Sequence, residues 1–328
     1  MNTNKHLKRI AFIGAGGYAR THMTRLQKIK DVKIVGVSSR TLATAQSAVQ
    51  DFGGKAFDNA EDMLDEIKPD AVFICVIPGA HGHPERLVIE RNIPFLVEKP
   101  IALNMQIARE IEKEVSARNL ITAVGYQWRY LDIVQKAKAL IGDSPILLVQ
   151  GYWLSRKPNL AWWNDPALSG GQIVEQATHM IDLARFFLGE AKEVNAVMSP
   201  PARGSNVPAA SALTIRFQNR IPATIICACE LPIRYRCGFI IHTEEKILEL
   251  FSTRSGMMNV VLNVKTSDNE ETFAPVYDPV LRQDEIFLKA IDLNNPALIQ
   301  SDYADAVKSL RISLAANESN ALEKSVTI

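Results

Sequence analysis

Apolar and polar positions along the chain follow two different rhythms. Up to residue 126, short continuous apolar runs at 9–14, 32–37, 70–76, 95–97 and 120–126 alternate with stretches of helical period near 19–29, 43–52, 60–67 and 104–118. Continuous runs of this length suit strands buried on both faces of a parallel sheet. Their alternation with helices predicts a doubly wound α/β domain over residues 1–126. Beyond it, a helical stretch near 131–141 gives way to strand-like stretches at 146–153, 193–198, 210–217, 223–230, 236–242, 247–251 and 259–264, parted in places by turns such as Gln218-Asn219-Arg220. Strands that follow one another without intervening helices predict a largely antiparallel open sheet, so 127–328 reads as an α+β domain. Helices near 279–292 and 303–319 close the chain. A sheet covered on one side only often pairs with a second subunit, so a homodimer or homotetramer through the C-terminal sheet is expected.

Composition changes this picture little. At 328 residues the chain has room for two domains, and 47% hydrophobic with 22% charged residues is ordinary for a globular protein with a full core. Thirty-seven basic against 36 acidic residues leave a net charge of +1, which gives no field to recruit nucleic acid or an anionic membrane. The one basic run, Lys5-His-Leu-Lys-Arg9, sits at the start of the chain. That start has no leader-type apolar core, and the run 10–13 is too short for a signal or a span. The four cysteines, Cys75, Cys227, Cys229 and Cys237, lack Cys-x-x-Cys spacing, and Cys227 and Cys229 share one strand face, where bridging is rare. Reduced thiols and a cytoplasmic protein are the expectation.

Candidate chemistry begins where the first apolar run meets Gly14-Ala-Gly16-Gly17-Tyr18-Ala19. This is Gly-x-Gly-x-x-Ala between a strand and a helix, the context a dinucleotide fingerprint requires. Gly14 permits a tight turn, Gly16 lets the backbone approach a pyrophosphate, and Ala19 allows close helix–strand packing. The helix start offers N–H groups and partial positive charge to the phosphates, with Gly17 and Tyr18 at the same place. The second strand ends in Ser38-Ser39-Arg40-Thr41, without the acidic residue that would bind ribose hydroxyls. Ser39, Arg40 and Thr41 supply donors and a positive charge suited to a 2′-phosphate, which favours NADP(H) over NAD(H). After the run 70–76, Ile77 and Pro78 open a turn at a strand's carboxyl end, near where a nicotinamide would lie; His81 and His83 either cap the next helix or, in the case of His81 above all, face the cofactor. The run 95–97 ends in Glu98-Lys99-Pro100, which sets a lysine at the ligand-bearing edge of the sheet because proline cannot continue a ladder.

In the second half, Gly170-Gly171 precede a helical pattern running to about residue 188. Glu175 and His179 are i and i+4 and so share one helical face, with Asp182 three residues on. The Glu–His pair can do acid–base work, since a carboxylate orients an imidazole and raises its proton affinity. No third ligand completes a metal site. Trp153, Trp162 and Trp163, with Arg156 and Lys157 among them, either wall a sugar site or serve as core or interface residues.

Taken together, the glycine fingerprint, Glu98-Lys99-Pro100, Gly125-Tyr-Gln-Trp-Arg129 and Gly170–Asp182 resemble, in order and spacing, the glucose–fructose oxidoreductase/inositol dehydrogenase/MocA-like family. The resemblance covers nearly the whole chain. It implies a Rossmann domain followed by a substrate-binding and oligomerisation domain. It also implies hydride transfer between a nicotinamide cofactor and a secondary alcohol or ketone of a sugar, cyclitol or related polyol. By the same resemblance Lys99 and His179 match the catalytic pair, with His179 taking the hydroxyl proton and Lys99 bonding the same oxygen. Glu175 stands where many members have Asp, and Gly79 follows Pro78 where Asn is frequent. Glu98 and Lys99 fall with the cofactor residues, and Lys99, Tyr126, Arg129, Glu175, His179 and the three tryptophans with the substrate residues. Two other readings share the fold: a glycosidase that recycles its NAD(P), revealed by glycoside cleavage without net reduction, and a nucleotide sensor, revealed by binding without turnover.

Overall fold

A computed structural model describes residues 7–252 and 254–328; positions 1–6, where the reading of the chain start falls, lie outside the described residues. The chain divides into two compact units. Met1–Ala102, Gln106–Gly125 and Val280–Ala304 form the first; Leu103–Met105, Tyr126–Pro279 and Asp305–Ile328 form the second.

The first unit is a six-stranded parallel sheet. Its strands β1 (Lys8–Ile13), β2 (Val32–Ser38), β3 (Lys55–Phe57), β4 (Ala71–Ile74), β5 (Phe95–Val97) and β6 (Thr122–Val124) lie in the order β3-β2-β1-β4-β5-β6. The helices between them are α1 (Gly17–Leu26), α2 (Leu42–Phe52), α3 (Ala60–Ile67), α4 (His83–Glu90) and α5 (Met105–Ala117). The order reverses between β1 and β4, and at such a switch point ligands bind beyond the carboxyl ends of the strands. β4 and β5 are buried at every position, as continuous apolar runs predict. β3, a three-residue edge strand, had too few apolar positions to be foreseen.

One late segment departs from the expected division at residue 126. The helix Pro279–Asp292 packs with the first unit, where Phe287 stands edge-on to Phe73 at 5.7 Å and Phe73 stacks on Phe12 at 5.1 Å. All three rings are fully buried, and each contributes roughly 1.5–3 kcal/mol by leaving water. The apolar stripe of this helix therefore closes a face of the parallel sheet, although it lies far away in sequence.

The second unit holds α6 (Asp132–Ile141), β7 (Ile146–Arg156), a short α7 (Pro166–Ser169), a π-helical turn (Ile173–Ala177) and α8 (Thr178–Leu188). Then come β8 (Ala191–Met198), β9 (Ala210–Phe217), β10 (Pro222–Ala228), β11 (Glu230–Thr243), β12 (Ile247–Ser252), β13 (Val261–Lys265) and β14 (Glu270–Phe273). After the helix described above, here α9, the chain ends with α10 (Tyr303–Leu322) and β15 (Val326–Thr327). The nine strands run in the order β14-β13-β12-β11-β7-β10-β9-β8-β15, antiparallel throughout except where β10 lies parallel to β7. Leu213, Ile215 and Phe217 of β9 alternate inward with Ala212, Thr214 and Arg216 outward. One face of the sheet thus joins a core with residues of α6, α8 and α10. The other face carries residues such as Val197 and Ile226, both exposed. β11 is longer than expected and begins at Glu230, so the stretch 223–230 is divided between two strands.

Candidate active site

On the first unit the candidate residues gather along the carboxyl edge of the parallel sheet. Gly14, directly after β1, has φ +103°, and a Cβ there would overlap the backbone oxygen of Cys75 at the end of β4. Glycine is thus required both by conformation and by the closeness of the two strand ends. Gly16 and Gly17 are different: a Cβ on either would meet nothing within 4 Å. No protein neighbour accounts for their lack of a side chain, which fits a position kept clear for a pyrophosphate at the start of α1. Ala19 is buried and Tyr18 partly exposed. After β2, Ser39 N–H donates to Phe57 O at 3.1 Å and Arg40 is exposed. Thr41 caps α2, its hydroxyl accepting from Thr44 N–H at 3.4 Å.

Beyond β4, Pro78 opens a single helical turn, Pro78–Ala80, after a half-buried Ile77. His81 is buried, with Nδ1 2.6 Å from Glu85 Oε1, while Glu85 Oε2 accepts from Gly82 N–H. Glu85 thus caps α4 with His81 bonded to the cap, and His83 is exposed at the first residue of that helix. The Nε2 of His81, buried and without a hydrogen-bond partner among the described residues, is left as a polar atom at this strand edge. Next along the sheet, Glu98 N–H donates to Ile74 O at 2.9 Å, which holds the end of β5 to β4. The carboxylate of Glu98, expected among the cofactor residues, is buried against His22 Nε2 at 3.0 Å. Lys99 follows, half-buried, and the Lys99–Pro100 bond is cis.

On the second unit, His179 is buried on the first turn of α8 between two aromatic rings. Trp153 of β7 stacks on it at 5.5 Å and 20°, and Tyr126 stands edge-on at 6.0 Å. Tyr126 shares a hydrogen bond with the Thr178 hydroxyl at 2.9 Å. Its phenol is held above the usual range, first by burial and then by the charge of Asp182, so it stays neutral. Glu175 lies on the π-helical turn rather than on a straight α-helix, so the simple shared face expected for residues 175 and 179 is altered. Its Oε2 accepts from the Trp163 indole N–H at 2.9 Å. Trp163 is fully buried with Val207 and Cys229, a core residue that supports Glu175 rather than a wall open to solvent; Trp162 is half-buried beside it. π-turns inside helices recur at functional sites because they re-aim side chains.

Arg129 is buried among acidic partners. Its Nε and Nη2 donate to Asp182 at 2.7 and 2.6 Å, and Nη2 also lies 2.7 Å from Asp305 Oδ2. Ser309 donates to Asp182 at 2.8 Å, and Arg185 donates to Asp305 Oδ1 at 2.9 Å. Burial opposes the charge on Asp305, yet Arg129 and Arg185 outweigh it and hold the carboxyl below the usual range. Arg129, expected among the substrate residues, thus sits in a buried ion network that anchors α8 one turn beyond His179.

Sequence reasoning passed over His22 and Asp284, which meet in the core of the first unit at 2.8 Å. The signal was present. On α1 the buried stripe is Ala19, His22, Met23 and Leu26, so a histidine occupies an apolar register; Asp284 does the same on α9 one turn before Phe287.

Among the described residues no cluster of three or more His, Cys, Asp or Glu could hold a metal ion, and no helix is long and apolar enough to cross a membrane.

Comparison with known proteins accords with this geometry. A family model described as an oxidoreductase family with NAD-binding Rossmann fold matches residues 8–126, and one for the GFO/IDH/MocA C-terminal domain matches 135–249. Glucose-6-phosphate 3-dehydrogenase of Bacillus subtilis is 28% identical over 186 residues, covering 54% of this chain and 53% of that protein. D-glucoside 3-dehydrogenase of Escherichia coli is 26% identical over 198 residues, covering 57% of this chain and 56% of its own. The chain thus spans little more than half the length of these curated relatives. A levoglucosan dehydrogenase solved with NADH and levoglucosan superposes with a TM-score of 0.86 at 20% identity, over 98% of this chain and 99% of that one, a likeness of fold. Matched in both of its halves, the chain belongs to the Gfo/Idh/MocA family of oxidoreductases, with an NAD-binding Rossmann fold in its first unit.

Proposed function

We propose that this protein is an NAD(P)-dependent dehydrogenase or reductase that acts on a secondary alcohol or ketone of a sugar, cyclitol or related polyol. The observation that carries the reading is Lys99 at the carboxyl end of β5, two strands from the β1 glycine turn and so about 10 Å along the sheet edge. An ammonium there is well placed to meet the reacting end of a dinucleotide whose pyrophosphate lies at Gly16. When bound, the nicotinamide supplies the acceptor or donor of hydride. The chain's own residues do the rest. Lys99 donates a hydrogen bond to the substrate oxygen and stabilises the negative charge that develops on it. His179 holds or releases the hydroxyl proton, its ring plane set by Trp153 and Tyr126. Glu175, steadied by Trp163, tunes that proton transfer. The relatives named as glucose-6-phosphate and glucoside 3-dehydrogenases support a sugar hydroxyl as the reacting group.

NADP(H) is the favoured cofactor. The exposed Arg40 guanidinium and the hydroxyls of Ser39 and Thr41 follow β2, and the segment 38–41 holds no carboxylate to repel a 2′-phosphate. A charge-assisted contact of this kind is worth roughly 1.5–3 kcal/mol. Arg40→Ala is therefore expected to raise the NADP KM about tenfold or more and leave the NAD KM nearly unchanged. The assay is absorbance at 340 nm with both cofactors and a panel of inositols, aldoses, anhydrosugars and glycosides, run in both directions. Equal kcat/KM for NAD and NADP in the unaltered protein would overturn the preference. Cleavage of a glycoside without net absorbance change would replace the dehydrogenase by the cofactor-recycling glycosidase, and tight nucleotide binding without any turnover would replace it by the sensor.

The exposed face of the nine-stranded sheet supports a homodimer or homotetramer. Val197 and Ile226 are 68% and 47% exposed on strands whose other face is core. Sedimentation equilibrium is expected to give two or four subunits, and Ile226→Lys to shift the distribution toward monomer; a monomeric unaltered protein would refute the assembly. A cytoplasmic location belongs to the same reading, supported by four cysteines that form no disulfide among the described residues.

A further inference from the structure

We propose that His22 is a positioning residue for Lys99: clamped as an imidazolium between Glu98 and Asp284, it fixes the residue directly before Lys99 against α1 and α9 and so sets where the lysine ammonium stands. This rests on the reading of Lys99 given above. The clamp joins three elements distant in sequence. Nδ1 of His22 lies 2.8 and 2.9 Å from the two oxygens of Asp284, and Nε2 lies 3.0 Å from Glu98 Oε1. His22 and Asp284 are wholly buried and Glu98 nearly so. The backbone is shaped around the same carboxylate. A Cβ at Gly125 would overlap the Glu98 carboxylate, while Gly125 N–H donates to Val97 O at 2.9 Å, one residue before it. The strand end that carries Lys99 is thus held by its backbone on both sides and by its preceding side chain from beneath.

Ionised carboxylates only accept hydrogen bonds, so a ring between two of them must donate from both nitrogens. Burial by itself would lower the proton affinity of His22. The charge of Asp284 and its hydrogen bond, followed by the hydrogen bond and charge of Glu98, overcome this and push the pKa up to about 10. Two rings flank the imidazole, and a thiol lies near its carboxylates. The Tyr18 ring stands edge-on at 5.6 Å, the Phe73 ring is tilted at 5.3 Å, and the Cys75 thiol is pushed up by burial and then by Glu98 and Asp284. Buried ion clusters of this kind seldom stabilise more than an apolar core of equal volume. What such a cluster supplies is one geometry, and here the residue next to it is the strand-end lysine.

The proton state is read first, without turnover. With histidines labelled in nitrogen-15, one of the six, assigned by its loss in His22→Gln, is expected to show both ring nitrogens as imidazolium at pH 8. A neutral ring at that pH would overturn the proposal. Linkage gives the accompanying sign: with the folded pKa near 10 and the unfolded value near 6.5, the stability His22 contributes is whole below the lower value and is lost as pH rises through the higher. The urea midpoint should therefore fall from pH 7 to 10, and less so in His22→Gln. Kinetics then separate positioning from mere structure. Asp284→Asn is expected to lower kcat about tenfold to a hundredfold, with dinucleotide Kd from fluorescence titration and polyol KM each within about twofold. Should Asp284→Asn fail to fold, Asp284→Glu, which keeps the charge but displaces the ring, is read in the same way. An unchanged kcat in a folded variant would overturn the proposal. A silent unaltered protein, by contrast, would remove the dehydrogenase reading and this proposal with it.

Discussion

Exchange of Lys99 for methionine is expected to slow turnover about a thousandfold while dinucleotide Kd changes less than threefold. Removal of one donor aimed at a developing oxyanion typically costs ~10²–10³ in rate, and loss of the accompanying charge places Lys99 at the upper end. Methionine nearly matches the volume of the lysine stem, and Lys99 is only half-buried, so the fold should tolerate the change. The dinucleotide's pyrophosphate is assigned to the Gly14–Gly16 turn, two strands away, which is why binding should survive. Single-turnover absorbance at 340 nm, with Kd measured separately by fluorescence, checks both halves of the expectation. Equal loss of binding and turnover would make Lys99 a cofactor ligand and leave proton handling without its electrostatic partner.

The second large effect is one of stability. Arg129→Met is expected to cost about 3–5 kcal/mol, because removing one partner from a buried ion network leaves the remaining charges uncompensated. Asp182 would lose two donors at 2.6 and 2.7 Å and retain only the Ser309 hydroxyl, whereas Asp305 would still have Arg185. Urea denaturation of the unaltered and variant proteins measures the loss. The double variant Arg129→Met/Asp182→Leu should recover much of it, since removal of both partners avoids the orphaned charge. A single variant as stable as the parent would show that water or another cation reaches Asp182. Because Asp182 lies on α8 three residues after His179, a fall in kcat is also expected at temperatures where Arg129→Met remains folded.

Much of the candidate site could be read from the residues. Gly14, Gly16 and Ala19 belong to a local motif: a strand, a tight turn and a helix start, all within one stretch of backbone. Lys99 at a strand end follows from an apolar run stopped by proline. The π-turn was not legible, because an i,i+4 pair has the same spelling whether the intervening turn is α or π, and the choice depends on packing around residues 173–177. The roles of Arg129 and Trp163 were hidden for a similar reason. The sequence offers each as a ligand contact, and in the fold each meets a partner that only the folded chain brings near: Asp182 and Asp305 for the arginine, Glu175 for the indole.

The alternation of buried strands and helices up to residue 126, the parallel character of the first sheet and the glycine turn at its edge were determined by sequence alone, because period, strand-ending prolines and tight turns are properties of short segments. Distance in the chain hides everything else. The return of α9 to the first unit depends on Phe287 finding Phe73, and the parallel pairing of β7 with β10 joins strands separated by a helical excursion and two further strands. The buried charge of His22 depends on residues 76 and 262 positions away. A histidine among apolar residues is an anomaly in the sequence; only tertiary structure, by setting a carboxylate on each side of it, decides that it is a cation.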